Sequence, residues 1–168
     1  MKILVMSDSH SAIRYMRLAM NTVKPDAVIH LGDHYDDAAA LAEEYHHIPF
    51  HQVPGNCDRY RCPPDAPLIM YYSIGGVKFY MTHGHLHGVK SVLIRLLTDA
   101  RAQNAQAALY GHTHIADCRQ EDGLWILNPG SCSHADGSVA VIETNDGAIR
   151  SCKILRLKDM EEGYDSHC

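Results

Sequence analysis

Five short apolar runs in this chain each lead into an aspartate, asparagine or histidine, and that repeated punctuation constrains the fold more than any other feature. Residues 2–7 run into Asp8-Ser9-His10. Ala27 to Leu31 runs into Gly32-Asp33, and Ile48 to Val53 into Gly55-Asn56. Val77 to Met81 precedes Thr82-His83-Gly84-His85, and Ala107 to Tyr110 precedes Gly111-His112-Thr113-His114. Short runs that are apolar throughout read as strands covered on both faces. Between the first three, residues 11–23 place Ile13, Met16, Leu18, Met20 and Val23 at near-helical spacing. Ser11 is the expected N-cap of that helix, and Lys24-Pro25-Asp26 its end. Residues 36–45 are Ala-rich and read as a second helix. A β-α-β-α-β alternation is the pattern of an α/β sheet with parallel strands.

The second half changes character. Residues 68–74 and 77–81 flank Gly75-Gly76, residues 115–120 and 124–127 flank Glu121-Asp122-Gly123, and residues 138–143 and 148–155 flank Thr144-Asn145-Asp146-Gly147. Each pair reads as a hairpin. Val89 to Ala102 is expected to be a helix, with Val89, Val92, Leu93, Leu96 and Leu97 on one side. No linker, repeat or low-complexity segment divides the 168 residues. The expectation is one domain over 1–157 and a loose polar tail over 158–168.

Composition removes several classes. Fifteen Lys+Arg against 20 Asp+Glu leave a net charge of -5, which disfavours long nucleic acid as a partner. No run is apolar and long enough to span a membrane, and the N-terminal stretch is too short for a secretion leader. The six cysteines form no CxxC pair and read as reduced thiols, so the expected location is cytoplasmic.

In open α/β sheets, sites collect beyond the carboxyl ends of strands. Here those ends deliver Asp8, His10, Asp33, Asn56, His83, His112 and His114. Seven potential ligands exceed what one four-coordinate ion uses, whereas two ions sharing a bridging carboxylate accommodate them. A mixed oxygen and nitrogen set suits manganese, nickel, zinc or iron more than magnesium or calcium. Two such ions clamp the attacking and leaving oxygens of a displacement at phosphorus, with a bridging hydroxide as nucleophile. Each motif alone has an ordinary reading as a turn or a solvated loop. Their strength is the set, in this order, each after a strand.

Asp8-x-His10, Gly32-Asp33, Gly55-Asn56, His83-Gly84-His85 and Gly111-His112-x-His114 together resemble the calcineurin-like metallophosphoesterase superfamily. The short length and Gly55-Asn56-Cys57-Asp58 are similar to its small YfcE-type phosphodiesterase branch. The resemblance covers about residues 1–157. It implies a four-layer αββα sandwich, two mixed β-sheets face to face with helices outside. It implies that Asp8, His10 and His114 bind a first metal, that Asn56, His83 and His112 bind a second, and that Asp33 bridges them. The implied activity is hydrolysis of a small phosphodiester by a metal-bridged hydroxide, with Mn2+ first among the candidate cofactors. Phosphomonoesterase or nucleotidase activity on the same metals is the alternative, and a protein-binding scaffold of the same fold is the rival from another class.

Many members of the superfamily have His directly after the Gly-Asn, where this chain has Cys57. The general acid is therefore unassigned, and His85 is the nearest candidate. The better reading of Cys57 is a small packed side chain. His34, Asp36 and Asp37 divide evenly between lining the cleft and starting the second helix. His30 reads as a hydrogen-bonded core residue, and His46, His47 and His51 as surface. Arg59 reads as solvated rather than phosphate-binding. Asn128-Pro129-Gly130-Ser131 reads as a structural support beneath the metal loops. A homo-oligomer is compatible with the sequence, but no stripe marks its interface.

Overall fold

The computed structural model describes residues 1–165 and contains two five-stranded mixed sheets packed face to face. The first takes its strands in the order β10(Ala148–Arg156), β9(Ser138–Asn145), β1(Lys2–Met6), β2(Ala27–His30), β3(Phe50–Gln52). β1, β2 and β3 are parallel, as the alternation predicts, with Ile3 opposite Ala27 and Val28 opposite Phe50. β9 then adds antiparallel to β1, which makes the sheet mixed. The second sheet runs β4(Ile69–Ile74), β5(Val77–Thr82), β6(Ala107–Leu109), β8(Leu124–Asn128), β7(Asp117–Glu121). β5, β6 and β8 are parallel, and β4 and β7 close the two edges as hairpin partners. All three expected hairpins are present.

Alternation along the strands builds the layers. Ile3, Val5, Ile29 and Leu31 point from the first sheet into a core shared with Phe79, Met81, Leu109 and Leu127 of the second. Leu4, Met6 and Val28 point the other way, beneath α1(Ile13–Val23), α2(Tyr35–Glu44) and α4(Leu157–Asp165). Tyr80, Ala108 and Ile126 lie on the outer face of the second sheet, under Leu96, Leu97 and Ala100 of α3(Ile94–Ala102). Covering on both faces explains why β1 and β6 are apolar at every buried position.

Three expectations are corrected. α1 starts at Ile13 behind Ala12, with no side-chain cap. Ser11 instead has a left-handed backbone, and its N–H donates to Asp37 Oδ2. α3 starts at Ile94 rather than Val89, because Gly88 is left-handed and the chain from 88 to 93 turns, leaving Val92 57% exposed. The polar stretch after residue 156 is helical through Asp165, because Leu157 and Met160, one turn apart, bury against the α1 layer. Residues 166–168 of the expected tail lie outside the described residues. Among the described residues no helix is long and apolar enough to cross a membrane.

Candidate metal centre

The ends of β1, β2, β3, β5 and β6 meet at one edge of the sandwich, and main-chain hydrogen bonds lash their loops together. Asp8 N–H donates to Gly32 O (2.9 Å), and Gly111 N–H to His83 O (3.0 Å). The close approach requires glycine at position 111, where a Cβ would sit 2.0 Å from Ser7 Oγ and 2.8 Å from Asp8 Oδ2.

Asp8, His10, Asp33, His112 and His114 all have positive φ, between 46° and 68°. Five of the seven expected ligands thus sit in a backbone region that costs a side-chain-bearing residue about 1–3 kcal/mol, and such outliers cluster at functional sites.

The expected ligands form two clusters of ligand atoms, beside a third group of His34, Asp36 and Asp37 at the start of α2. Asp8, His10 and His114 make one, and Asp8, Asp33 and His83 make the other. Asp8 is the carboxylate common to both clusters, although the resemblance implies Asp33 as the bridge. Asn56 joins through its Oδ1, 3.1 Å from His83 Nε2. His112 stacks edge-on against His83 with ring centroids 5.0 Å apart, and its N–H donates to Asp8 Oδ2. His112 contributes no atom to either cluster.

The donor set fits cations. Leu31 O accepts from His83 Nδ1 (2.7 Å), so in the neutral ring Nε2 carries a lone pair. That lone pair faces Asn56 Oδ1 and, at 3.6 Å, Asp33 Oδ1. Asp8 Oδ1 is buried and has no hydrogen-bond partner among the described residues, yet lies 3.1 Å from His114 Nε2. His114 Nε2 is in turn 3.4 Å from His10 Nε2. Ligand bonds of about 2.1 Å place neighbouring donor atoms roughly 3.0–3.4 Å apart in octahedral or tetrahedral geometry. Three of the four spacings, at 3.1–3.4 Å, fall in that range, and His83 to Asp33 at 3.6 Å lies just above it, as expected of donors gathered around cations.

Burial pushes the Asp33 carboxyl up, but the Cys57 N–H on Oδ1 and His83 beside it leave it below its ordinary value. Burial, then His83, hold both His85 and His112 below theirs. His85 lies with its ring centroid 5.5 Å from that of His83, and its buried Nδ1 has no partner among the described residues. Cys57 is exposed rather than packed as expected, and partial desolvation and the neighbouring Asp33 raise its thiol, which disfavours a thiolate there.

Asp58 is the residue whose role sequence reasoning passed over. Fully buried, its carboxylate accepts from Asp33 N–H (2.9 Å), Gly55 N–H (2.7 Å), His34 N–H (2.7 Å) and Tyr35 N–H (2.9 Å). It joins the Asp33 and Asn56 loops and satisfies the start of α2 from outside. Its signal was the acid two residues after Asn56. The Asn128 segment is a support, as expected: Asn128 Nδ2 donates to Gly111 O (3.0 Å) and Thr113 Oγ1 (2.9 Å), and Ser131 Oγ to Asp8 O (2.8 Å). His34, Asp36 and Asp37 do start α2, and the His34 ring also meets His10 edge-on at 5.2 Å. His30 is fully buried, its pKa pushed down to about 4 by desolvation, and its Nδ1 accepts weakly from Gly32 N–H (3.4 Å). Arg59 is exposed and stands over the Tyr60 ring.

Residues 1–147 match the family model described as the calcineurin-like phosphoesterase superfamily domain. The probable metallophosphoesterase YsnB of Bacillus subtilis is 33% identical over 133 residues, 78% of this chain and 75% of that one. The phosphodiesterase MJ0936 of Methanocaldococcus jannaschii is 28% identical over 148 residues, 79% of this chain and 84% of that one. Among solved structures, a conserved Streptococcus pneumoniae protein described as a predicted phosphoesterase superposes with a TM-score of 0.76 at 28% identity. That match covers 94% of this chain and 90% of the other. Vps29 of Entamoeba histolytica shares the fold, with a TM-score of 0.66 at 22% identity over 93% of this chain and 99% of its own.

Proposed function

The chain belongs to the calcineurin-like phosphoesterase superfamily, and from that premise we propose that it is a phosphodiesterase that holds two divalent cations and cleaves a small phosphodiester. The observation that carries this reading is the shell of lone-pair donors at 3.1–3.6 Å spacing, built on strained loops from both sheets. Two bound cations supply Lewis acidity toward a phosphoryl oxygen and lower the pKa of a coordinated water toward neutrality.

The chain's own residues do the rest. Asp8, His10 and His114 would hold one cation, Asn56, His83 and His112 would hold the other, and Asp33 would serve both. The Leu31 carbonyl fixes the His83 tautomer so that Nε2 is available as a ligand. Asp58 positions Asp33 and the Asn56 loop through the main chain. His85 is assigned to the leaving-group side, where it would hydrogen-bond the ester oxygen: its ring centroid is 5.5 Å from that of His83 and its buried Nδ1 has no partner among the described residues. Manganese is proposed first, with nickel, zinc and iron next, from the mixed oxygen and nitrogen donors. The name of the M. jannaschii relative supports a diester over a monoester, and the net charge of -5 supports a small substrate over a long nucleic acid.

The test is hydrolysis of a chromogenic diester and its matching monoester by metal-stripped protein resupplied with each cation. The expected result is diester turnover restored by manganese and reduced at least about 100-fold in Asp33→Ala and His83→Ala. Cation content per chain checks the bridge: Asp33→Ala loses both ions, whereas an Asp8 bridge predicts that loss for Asp8→Ala instead. Faster monoester turnover would support the nucleotidase reading. Two ions bound without turnover would support the scaffold.

A further inference from the structure

Cys118 lies on β7, an outer strand of the second sheet, and Cys152 on β10, an outer strand of the first. The strands belong to different sheets and the residues are 34 apart in the chain, yet the two Sγ atoms are 2.7 Å from each other. Both side chains pack against the apolar layer between the sheets and remain partly exposed. A sulfur–sulfur bond of about 2.05 Å needs an approach of under about 1 Å from that position. The remaining described cysteines sit elsewhere: Cys57 and Cys62 in the loop after β3, and Cys132 fully buried against Ser7 O.

We propose that Cys118 and Cys152 form a reversible disulfide site, oxidised by a low-molecular-weight disulfide such as glutathione disulfide, that clasps the two sheets together. One protein thiolate attacks a sulfur of the small disulfide, whose S–S bond breaks and releases one thiolate. The second protein thiolate attacks the mixed disulfide and releases the other. Two protein thiols are oxidised to one disulfide, the small disulfide is reduced to two thiols, and the two protons pass to the released thiolates. Burial and the neighbouring Cys118 hold the Cys152 thiol above its ordinary range, which slows the exchange without opposing it. The closed loop includes the first strand after the His112–His114 turn, so the bond restrains the unfolded chain across both sheets.

The full-length protein is equilibrated with reduced and oxidised glutathione, quenched with acid, digested and mapped by mass spectrometry. The expected result is a Cys118–Cys152 bridge, a loss of those two thiols, and reversal by dithiothreitol. The oxidised protein melts on the order of 5–10 °C higher. Cys118→Ser and Cys152→Ser show neither the bridge nor the shift. A map with both thiols free, or with either bonded to another cysteine, overturns the proposal. That map is made on the wild-type chain and stands whether or not the variants fold.

Discussion

Asp58 touches no reacting atom, yet two candidate ligand loops depend on it. It is a buried carboxylate that accepts four main-chain N–H groups. Asp58→Asn keeps the shape but turns one acceptor atom into a donor facing donors. The expected outcome is a loss of about 2–4 kcal/mol in stability, read from the urea midpoint, and a 10–100-fold loss in cation affinity, read by titration. The seven expected ligands were visible in the sequence because each follows an apolar run. Asp58 was visible only as part of Gly55-Asn56-Cys57-Asp58, and its role was not, because that depends on a loop 25 residues away. Nor was the left-handed backbone at Asp8, His10, Asp33, His112 and His114 visible, since nothing local distinguishes a strained aspartate from one in an ordinary turn.

The three parallel strands of the first sheet and the three hairpins were legible because period and turn chemistry are local signals, whereas the parallel pairing of β5, β6 and β8 was not. Helix boundaries were less so. The apolar spacing of Val89, Val92 and Leu93 imitates a helix that Gly88 and the turns after it prevent. Among the described side chains of α4, Leu157 and Met160 meet the core, too few for a period among Lys158, Asp159, Glu161 and Glu162. The helix exists because its partner, the α1 layer, is already in place. Leu157 is fully buried, so Leu157→Ala is expected to cost roughly 2–5 kcal/mol in a denaturant titration. Catalytic constants with saturating metal should stay unchanged, because α4 packs on the face of the first sheet opposite the inter-sheet core.

At the scale of the molecule, the candidate centre straddles the seam. Asp8, His10, Asp33 and Asn56 come from loops of the first sheet, and His83, His112 and His114 from loops of the second. A cation held between them binds only the assembled sandwich. Chelation is therefore expected to lower Tm by about 5–10 °C from its value at a cation concentration 100-fold above Kd, as calorimetry with and without chelator would show. Asp33→Ala should melt at the same temperature in either condition. The left-handed loops carry a further consequence. Glycine at position 33 or 112 would relax the main chain and erase the side chain that the loop exists to present. At those positions thermal robustness and chemistry pull in opposite directions, so selection for a hotter-melting variant alone would favour disarming the centre first.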